Sequence, residues 1–374
     1  MRYQNPFKPT AGKMPPVLVG RDKVVNDFIE GLENGEGAPG RLMRITGPRG
    51  AGKTVLLSEL AGIAQDQGWL VVNAAATENL LDSIARKLSK THTLELDAVK
   101  VSTPFASVEM RRNGTPNADF ETIFDAAARE MTARGKGLLI TIDEIQDASH
   151  EDIRAIATAV QFLIRDDQNI ALVFAGITTG VLDLLNGKAM TFLRRAKPEE
   201  LDAIPIDEVR ESLRIAIEES GFSAEEAALD VAAKATAGYA YLIQLVGYYV
   251  WRAAWIRCRD CEGQVVITEA DAAEGIREAL EEFKDAVLET AISGLPKTAI
   301  EFILAMSETG AVTAVGEIAE RLGKTTGYLS PYRRQLIGRQ IIEQTAPGYV
   351  TFSIPFMREF LVDRKGEILA RYGE

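Results

Sequence analysis

Between Arg41 and Gln67 the chain reads RLMRIT, then GPRGAGKT, then VLLSELAGIAQDQ: an apolar run, a turn with three glycines, and leucines at helical spacing. Few folds accept that order. Glycines at 47, 50 and 52 let consecutive backbone N–H groups curl inward, and the following helix aims the positive end of its dipole at the same place. The segment Gly47-Pro48-Arg49-Gly50-Ala51-Gly52-Lys53-Thr54 matches GxxxxGK[ST]. In that pattern the lysine reaches the β- and γ-phosphates of a nucleotide and the Thr54 hydroxyl ligates Mg²⁺, with Val55 closing the set at the start of the helix. The motif needs a strand before it and a helix after it, and both patterns are present.

Four further strand patterns follow, at Trp69–Asn73, Leu138–Ile142, Ile170–Ala175 and Ala203–Ile206, with helical patterns between them. Strands rich in Val, Ile and Leu that alternate with helices predict a parallel sheet covered on both faces, a doubly wound α/β core of five strands. LLITIDE ends one of these strands in two carboxylates, at the end where such sheets bind ligands. Asp143 is placed to hold Mg²⁺ and Glu144 to orient and deprotonate an attacking water. Asp143 follows Lys53 by 90 residues, which leaves room for the strand at Trp69 and for an insertion at about 99–112, where a β-hairpin is one reading.

Strand signals fade after Ile206. Asp207 is the expected N-cap of a helix that ends near Gly221, and Ser223–Glu226 and Thr268–Asp271 both fit the capping-box pattern. A helical lid is expected to about residue 290, with a boundary at Ser293–Pro296. Beyond it, LPKTAIEFILAMSE, VGEIAERLG and TTGYLSPYRRQLIGRQ read as three helices, followed by two strands around Pro347-Gly348. That is the order of a winged helix-turn-helix. The expected domains are 1–206, 207–292 and 293–374.

Charge sharpens this division. The chain carries a net charge of −12, which excludes a protein that coats nucleic acid uniformly. From Leu295 onward, however, ten basic residues face nine acidic ones, and from Arg321 to Ile342 five basic residues occur with no acidic one. Arg333, Arg334 and Lys324, interleaved with Tyr328, Tyr332 and Gln335, are candidates for contacts with double-stranded DNA. No apolar run approaches the roughly 20 residues that cross a bilayer, and no secretory h-region occurs, so a cytoplasmic protein is expected. Cys258 and Cys261 form a lone CxxC with His92 and His150 far away, too few ligands for structural zinc.

VGRDKVVNDFIEGL, GPRGAGKT and LLITIDEIQ, in that order, resemble the AAA+ P-loop ATPases, in particular the archaeal-ATPase and Orc/Cdc6-like group. The resemblance covers most of the chain and implies binding and hydrolysis of ATP, with ADP and Mg²⁺ bound in turn, and a nucleotide-dependent homo-oligomer. It implies that Val19, Gly20 and Arg21 pack near the adenine and ribose. It places a polar sensor of the γ-phosphate at Thr178, with Thr179 as alternative. TFLRRAKPEELDAIPI resembles the segment that supplies an arginine to a neighbouring subunit's site, with Arg195 first and Arg194 second. ATAGYAYLIQLVG resembles the lid's sensor segment, where Tyr241 stands at the position that many relatives give to arginine. Two functions remain open at this stage: a DNA-engaging ATPase, and a nucleotide switch of the STAND kind whose winged helix contacts protein.

Overall fold

In the computed structural model, described for residues 3–10, 12–77, 79–98, 116–187, 190–259 and 263–372, the chain forms two compact units. The insertion expected at 99–112 and Cys261 lie outside the described residues. One unit comprises 21–47 and 52–201; the other comprises the N-terminal segment to Gly20, residues 48–51, and everything from Asp202 on.

The first unit is the expected α/β core. α1 (Asp22–Glu33) precedes β1 (Leu42–Thr46), and α2 (Lys53–Asp66), β2 (Leu70–Ala75), α3 (Leu80–Ala98) and α4 (Pro116–Ala133) follow. Then come β3 (Leu138–Asp143), α5 (His150–Arg165), β4 (Ile170–Gly176), α6 (Thr178–Asn186) and β5 (Lys197–Glu200). The strands lie in the order β2-β3-β4-β1-β5, all parallel. Leu138, Ile140, Ile142, Leu172 and Phe174 bury one face of the sheet under α3–α6, and α2 covers the other at β2, β3 and β4. Each fully buried side chain of this size contributes about 1.5–3 kcal/mol. Every residue of β4 is buried, as a central strand requires.

The fifth strand is not where apolar character predicts it. Lys197–Glu200 forms β5, not Ala203–Ile206. β5 is an edge strand that pairs with β1 alone, so it tolerates Pro198 and polar side chains, which a central strand would not.

The second unit continues with α7 (Ile206–Glu219), β6 (Ser223–Ala224), α8 (Glu226–Ala235), α9 (Ala240–Arg257), β7 (Val266–Ile267) and α10 (Glu269–Phe283). A π-helical turn at Lys284–Glu289 and the short α11 (Thr290–Ile292) extend α10. α7 begins one residue before the expected cap, with Asp207 in its first turn beside the helix dipole. The capping box at Thr268 and Asp271 is present, with both reciprocal bonds. The one expected at Ser223 is not, because Ser223 pairs into a small sheet with Val266 and Glu225 becomes the N-cap.

The chain closes with α12 (Lys297–Ser307), β8 (Thr313–Ala314), α13 (Val315–Arg321), α14 (Thr326–Gly338), β9 (Ile342–Ala346), β10 (Tyr349–Phe352), α15 (Met357–Asp363) and α16 (Lys365–Tyr372). Three helices and the sheet β8-β10-β9 make the winged helix. Sequence patterns cut the chain at 206 and 292, but one hydrophobic cluster runs through both the lid and the winged helix, joining Leu242, Val246 and Phe283 to Phe302, Leu336 and Phe360. No helix among the described residues is long and apolar enough to cross a membrane.

Candidate nucleotide site

The loop between β1 and α2 follows from its glycines. Gly47, Gly50 and Gly52 adopt φ of 155°, 74° and 90°, and Gly52 caps α2 in the left-handed conformation that side-chain-bearing residues avoid. At Gly47 an added Cβ would lie 2.8 Å from the Leu201 carbonyl oxygen. Lys53 is 5% exposed, and its Nζ donates to the Gly47 carbonyl at 2.9 Å, so the ammonium is folded back over the loop.

Register brings the carboxylates to the same end of the sheet. β3 and β1 both flank β4, so the C-terminal ends of β1 and β3 open on one crevice. There the Thr54 hydroxyl donates to Asp143 Oδ2 at 2.6 Å, joining residues 89 positions apart. Asp143 Oδ1 accepts the Glu144 N–H at 3.0 Å. Glu144 is left-handed, with φ 50° and ψ 44°, a conformation that costs a non-glycine residue about 1–2 kcal/mol. Its carboxylate accepts from Gln146 Nε2 at 2.7 Å. A hydroxyl and a carboxylate at hydrogen-bond distance are hard oxygen donors, a set that suits Mg²⁺ completed by water and phosphate oxygens.

The remaining predicted residues divide. Thr178 opens α6 with its Oγ1 3.5 Å from Glu200, while Thr179 is exposed. Arg194 is bound internally: its Nε donates to the Leu185 carbonyl at 2.6 Å and a second nitrogen to that of Gly187 at 3.3 Å. Arg195 is exposed and lines a cavity of about 330 Å³ with Phe192 and with Leu42 and Ile170, which start β1 and β4. Met43 pairs with Lys197 and Thr46 with Glu200, so Arg195 stands at the opposite end of the sheet from Gly47. Val19 packs on the core of the second unit. Gly20 is left-handed at φ 68°, where a Cβ would also sit tightly against the Ile204 side chain at 3.1 Å, and Arg21 is buried.

Within the second unit, Arg49 and Gly50 of the loop meet side chains that sequence patterns did not single out. Tyr239 Oη donates to the Arg49 carbonyl, and burial pushes its phenol up to about 12. Gln340 Oε1 accepts the Arg49 N–H at 2.8 Å. Tyr241 reaches the loop through its backbone, its N–H donating to the Gly50 carbonyl at 3.3 Å, while its ring lies 6.2 Å from that of Phe283. The nearest sequence signal for Tyr239 is the neighbouring glycine: a Cβ at Gly238 would lie 2.2 Å from the Ile204 carbonyl oxygen, which fixes the chain just before the tyrosine.

Comparison with known proteins agrees with the geometry. Residues 17–173 match a family model described as AAA ATPase domain, and residues 285–361 match one described as a domain of unknown function, DUF8462. No curated protein sequence matches the chain. A Walker-type ATPase of Pyrococcus abyssi has a similar structure, with a TM-score of 0.67 at 14% identity over 92% of this chain and 96% of that one. The Orc2 protein of Aeropyrum pernix, solved as ADPNP and ADP complexes, gives 0.62 at 14% identity over 98% of each chain. Cdc6p of Pyrobaculum aerophilum gives 0.52 at 17% identity over 97% of each.

Proposed function

We propose that this chain, an AAA+ P-loop ATPase, binds Mg·ATP on Gly47–Thr54 and couples its nucleotide state to contacts made with duplex DNA by the winged helix. The hydrogen bond between Thr54 and Asp143 carries the first half of this reading, since it joins the loop to the carboxylate strand at one point. Bound there, Mg²⁺ would neutralise phosphate charge, held by the Thr54 hydroxyl and, through water, by Asp143. Lys53 leaves the Gly47 carbonyl for the phosphates. Glu144 aligns the attacking water and takes its proton. Arg195, remote from its own loop, serves the site of a second copy.

The second half rests on the surface of α14. Arg334 is exposed with no ion pair among the described residues, and the Lys324 ammonium sits 5.2 Å over the exposed Tyr328 ring. A decisive experiment measures ATPase rate and light-scattering mass together, with and without duplex DNA, on the wild type and on Lys53→Ala as the nucleotide-free control. Stimulation by duplex that Lys53→Ala abolishes is the expected result. Salt-insensitive behaviour and an unchanged rate would overturn the DNA half.

One observation favours a second reading, the nucleotide switch. Gln340, just past the end of α14, occupies the Arg49 N–H, one of the loop donors that phosphate would use. On that reading the protein purifies with ADP as a monomer, duplex has no effect, and Gln340→Ala speeds nucleotide exchange.

A further inference from the structure

Glu144 is held by a side chain two residues further on, and that side chain is held in turn by the end of β4. Gln146 Nε2 donates to Glu144 Oε2 at 2.7 Å, and Gln146 Oε1 accepts the Ile177 N–H at 3.2 Å. The direction of this amide is fixed by its partners. A carboxylate can only accept and a backbone N–H can only donate, so the flipped amide would lose both bonds.

The packing around the amide is equally specific. A Cβ at Gly176 would lie 2.2 Å from Gln146 Oε1, and a Cβ at Gly180 would lie 2.8 Å from Gln146 Cβ. Both positions are glycine, and neither is forced by a positive φ. Two bare Cα positions, one ending β4 and one in the first turn of α6, thus make the slot in which the glutamine lies. Since β4 lies between β3 and β1, the strand that feeds the phosphate loop, the slot is attached to the strand next to that loop.

We infer that Gln146 is a positioning residue for ATP hydrolysis, which aims the Glu144 carboxylate at the attacking water and locks it to the Ile177 amide. The inference rests on the reading of Glu144 as the group that orients water. Gln146 touches neither nucleotide nor metal in this role, so its removal lowers kcat and spares ATP affinity. Without the amide the carboxylate samples other rotamers, and misplacement of a catalytic group by about 1 Å can cost on the order of 10²-fold.

Three variants on the full chain separate the terms. Gln146→Met fills the glycine slot without either hydrogen bond, and we expect kcat to fall about 10-fold, with the affinity for a fluorescent ATP analogue and Mg²⁺ within about 2-fold. Gln146→Glu keeps the acceptor for Ile177 but sets a second carboxylate against Glu144, and we expect the larger loss. In a Glu144→Gln background, Gln146→Met should cost nothing more in single-turnover rate, because the group that it positions is already gone. A wild-type kcat in Gln146→Met would overturn the inference, as would an equal loss in both backgrounds or a loss confined to ATP affinity. Failure of the underlying reading shows separately: Glu144→Gln alone would hydrolyse ATP at the wild-type rate.

Discussion

The candidate site residues of the α/β unit and of the C-terminal unit are both charged side chains, yet the two units expose that charge in opposite ways. In the α/β unit the candidate groups are held by backbone and by neighbouring side chains of the same unit. Lys53 is buried against the Gly47 carbonyl, and Asp143 is fixed between the Thr54 hydroxyl and the Glu144 amide. In the C-terminal unit the acid-free stretch from Arg321 to Ile342 offers five cations, and two of them are already held by oxygen acceptors. Arg321 pairs with Glu308 and Glu317, which lie outside the stretch, and Arg339 donates to the Ser293 carbonyl at 2.9 Å. Arg333 is half-buried, its Nε enclosed with no hydrogen-bond partner among the described residues. Lys324, over the Tyr328 ring, and Arg334 have no ion pair among the described residues. A backbone-built site is specified by a short motif, whereas a surface site depends on which cations find no carboxylate, and those carboxylates can come from anywhere in the chain.

The sharpest way to break this comparison is at Glu144. If the α/β unit's function lies in fixed groups, Glu144→Gln should bind Mg·ATP with near wild-type affinity and lose about 10² to 10⁴ in hydrolysis rate. Steady-state turnover beside a nucleotide titration checks it, and wild-type turnover would remove the catalytic role.

Arg195 is next, because it belongs to the α/β unit yet is exposed like the cations of the winged helix. About 10 Å of strand separates the start of β5 from the loop end of β1, so any action on phosphate is on another copy's. Arg195→Ala should lower the rate by about 10², the usual cost of one transition-state donor, and leave nucleotide affinity unchanged. Mixing it with Glu144→Gln should restore part of the activity, since some mixed interfaces pair an intact arginine with an intact base. A wild-type rate that does not depend on protein concentration would exclude the trans role. Arg194→Ala should fall short of this loss, its guanidinium being spent on the carbonyls of Leu185 and Gly187.

The third test addresses the surface cations. If Lys324 and Arg334 both meet phosphates, replacing both with Ala should flatten the plot of log affinity against log salt by about 2 and weaken all duplex sequences alike. Arg321→Ala, which removes an internally paired cation, should leave the slope unchanged. Equal effects from both changes would show that ion pairing does not decide which cations are available.

The same contrast explains what could be read in advance. The loop, the carboxylate strand and the order of strands and helices were legible because each is a local pattern tied to a period or to glycine. The fifth strand was not, since an edge strand pairs on one side only and Lys197-Pro-Glu-Glu carries no apolar signal. Ser223 misled for a related reason: a capping pattern competes with pairing to Val266, which is 43 residues away. Gln146 gave no signal of its own. Its importance lies in the absent side chains at Gly176 and Gly180, a relation that only folding creates. Tyr239 and Gln340 likewise reach Arg49 across 190 and 291 residues, beyond any window of sequence.

The smallest effect is expected at Tyr239, in the C-terminal unit but built like the α/β site, with a buried hydroxyl on a backbone carbonyl. Phenylalanine keeps the ring, which meets Phe283 edge-on at 5.9 Å, and removes one hydrogen bond. The expected loss is about 1 kcal/mol at neutral pH. Burial, with a smaller contribution from Tyr241, raises the folded phenol to about 12, whereas an unfolded tyrosine ionises near 10. Between those values the folded state holds a proton that the unfolded state has lost, so stability falls with pH. The contribution is fully present below about pH 10 and is lost as pH rises through 12. Denaturant unfolding of the wild type and Tyr239→Phe between pH 8 and 12 should show the wild type's advantage shrinking above about pH 10 and then reversing, since two pKa units are worth about 2.7 kcal/mol. Tyr249, also raised to about 12 through its hydrogen bond to Glu282, remains in both proteins and cancels. A constant offset across that range would mean that the Tyr239 hydroxyl is as solvated in the folded chain as in the unfolded one.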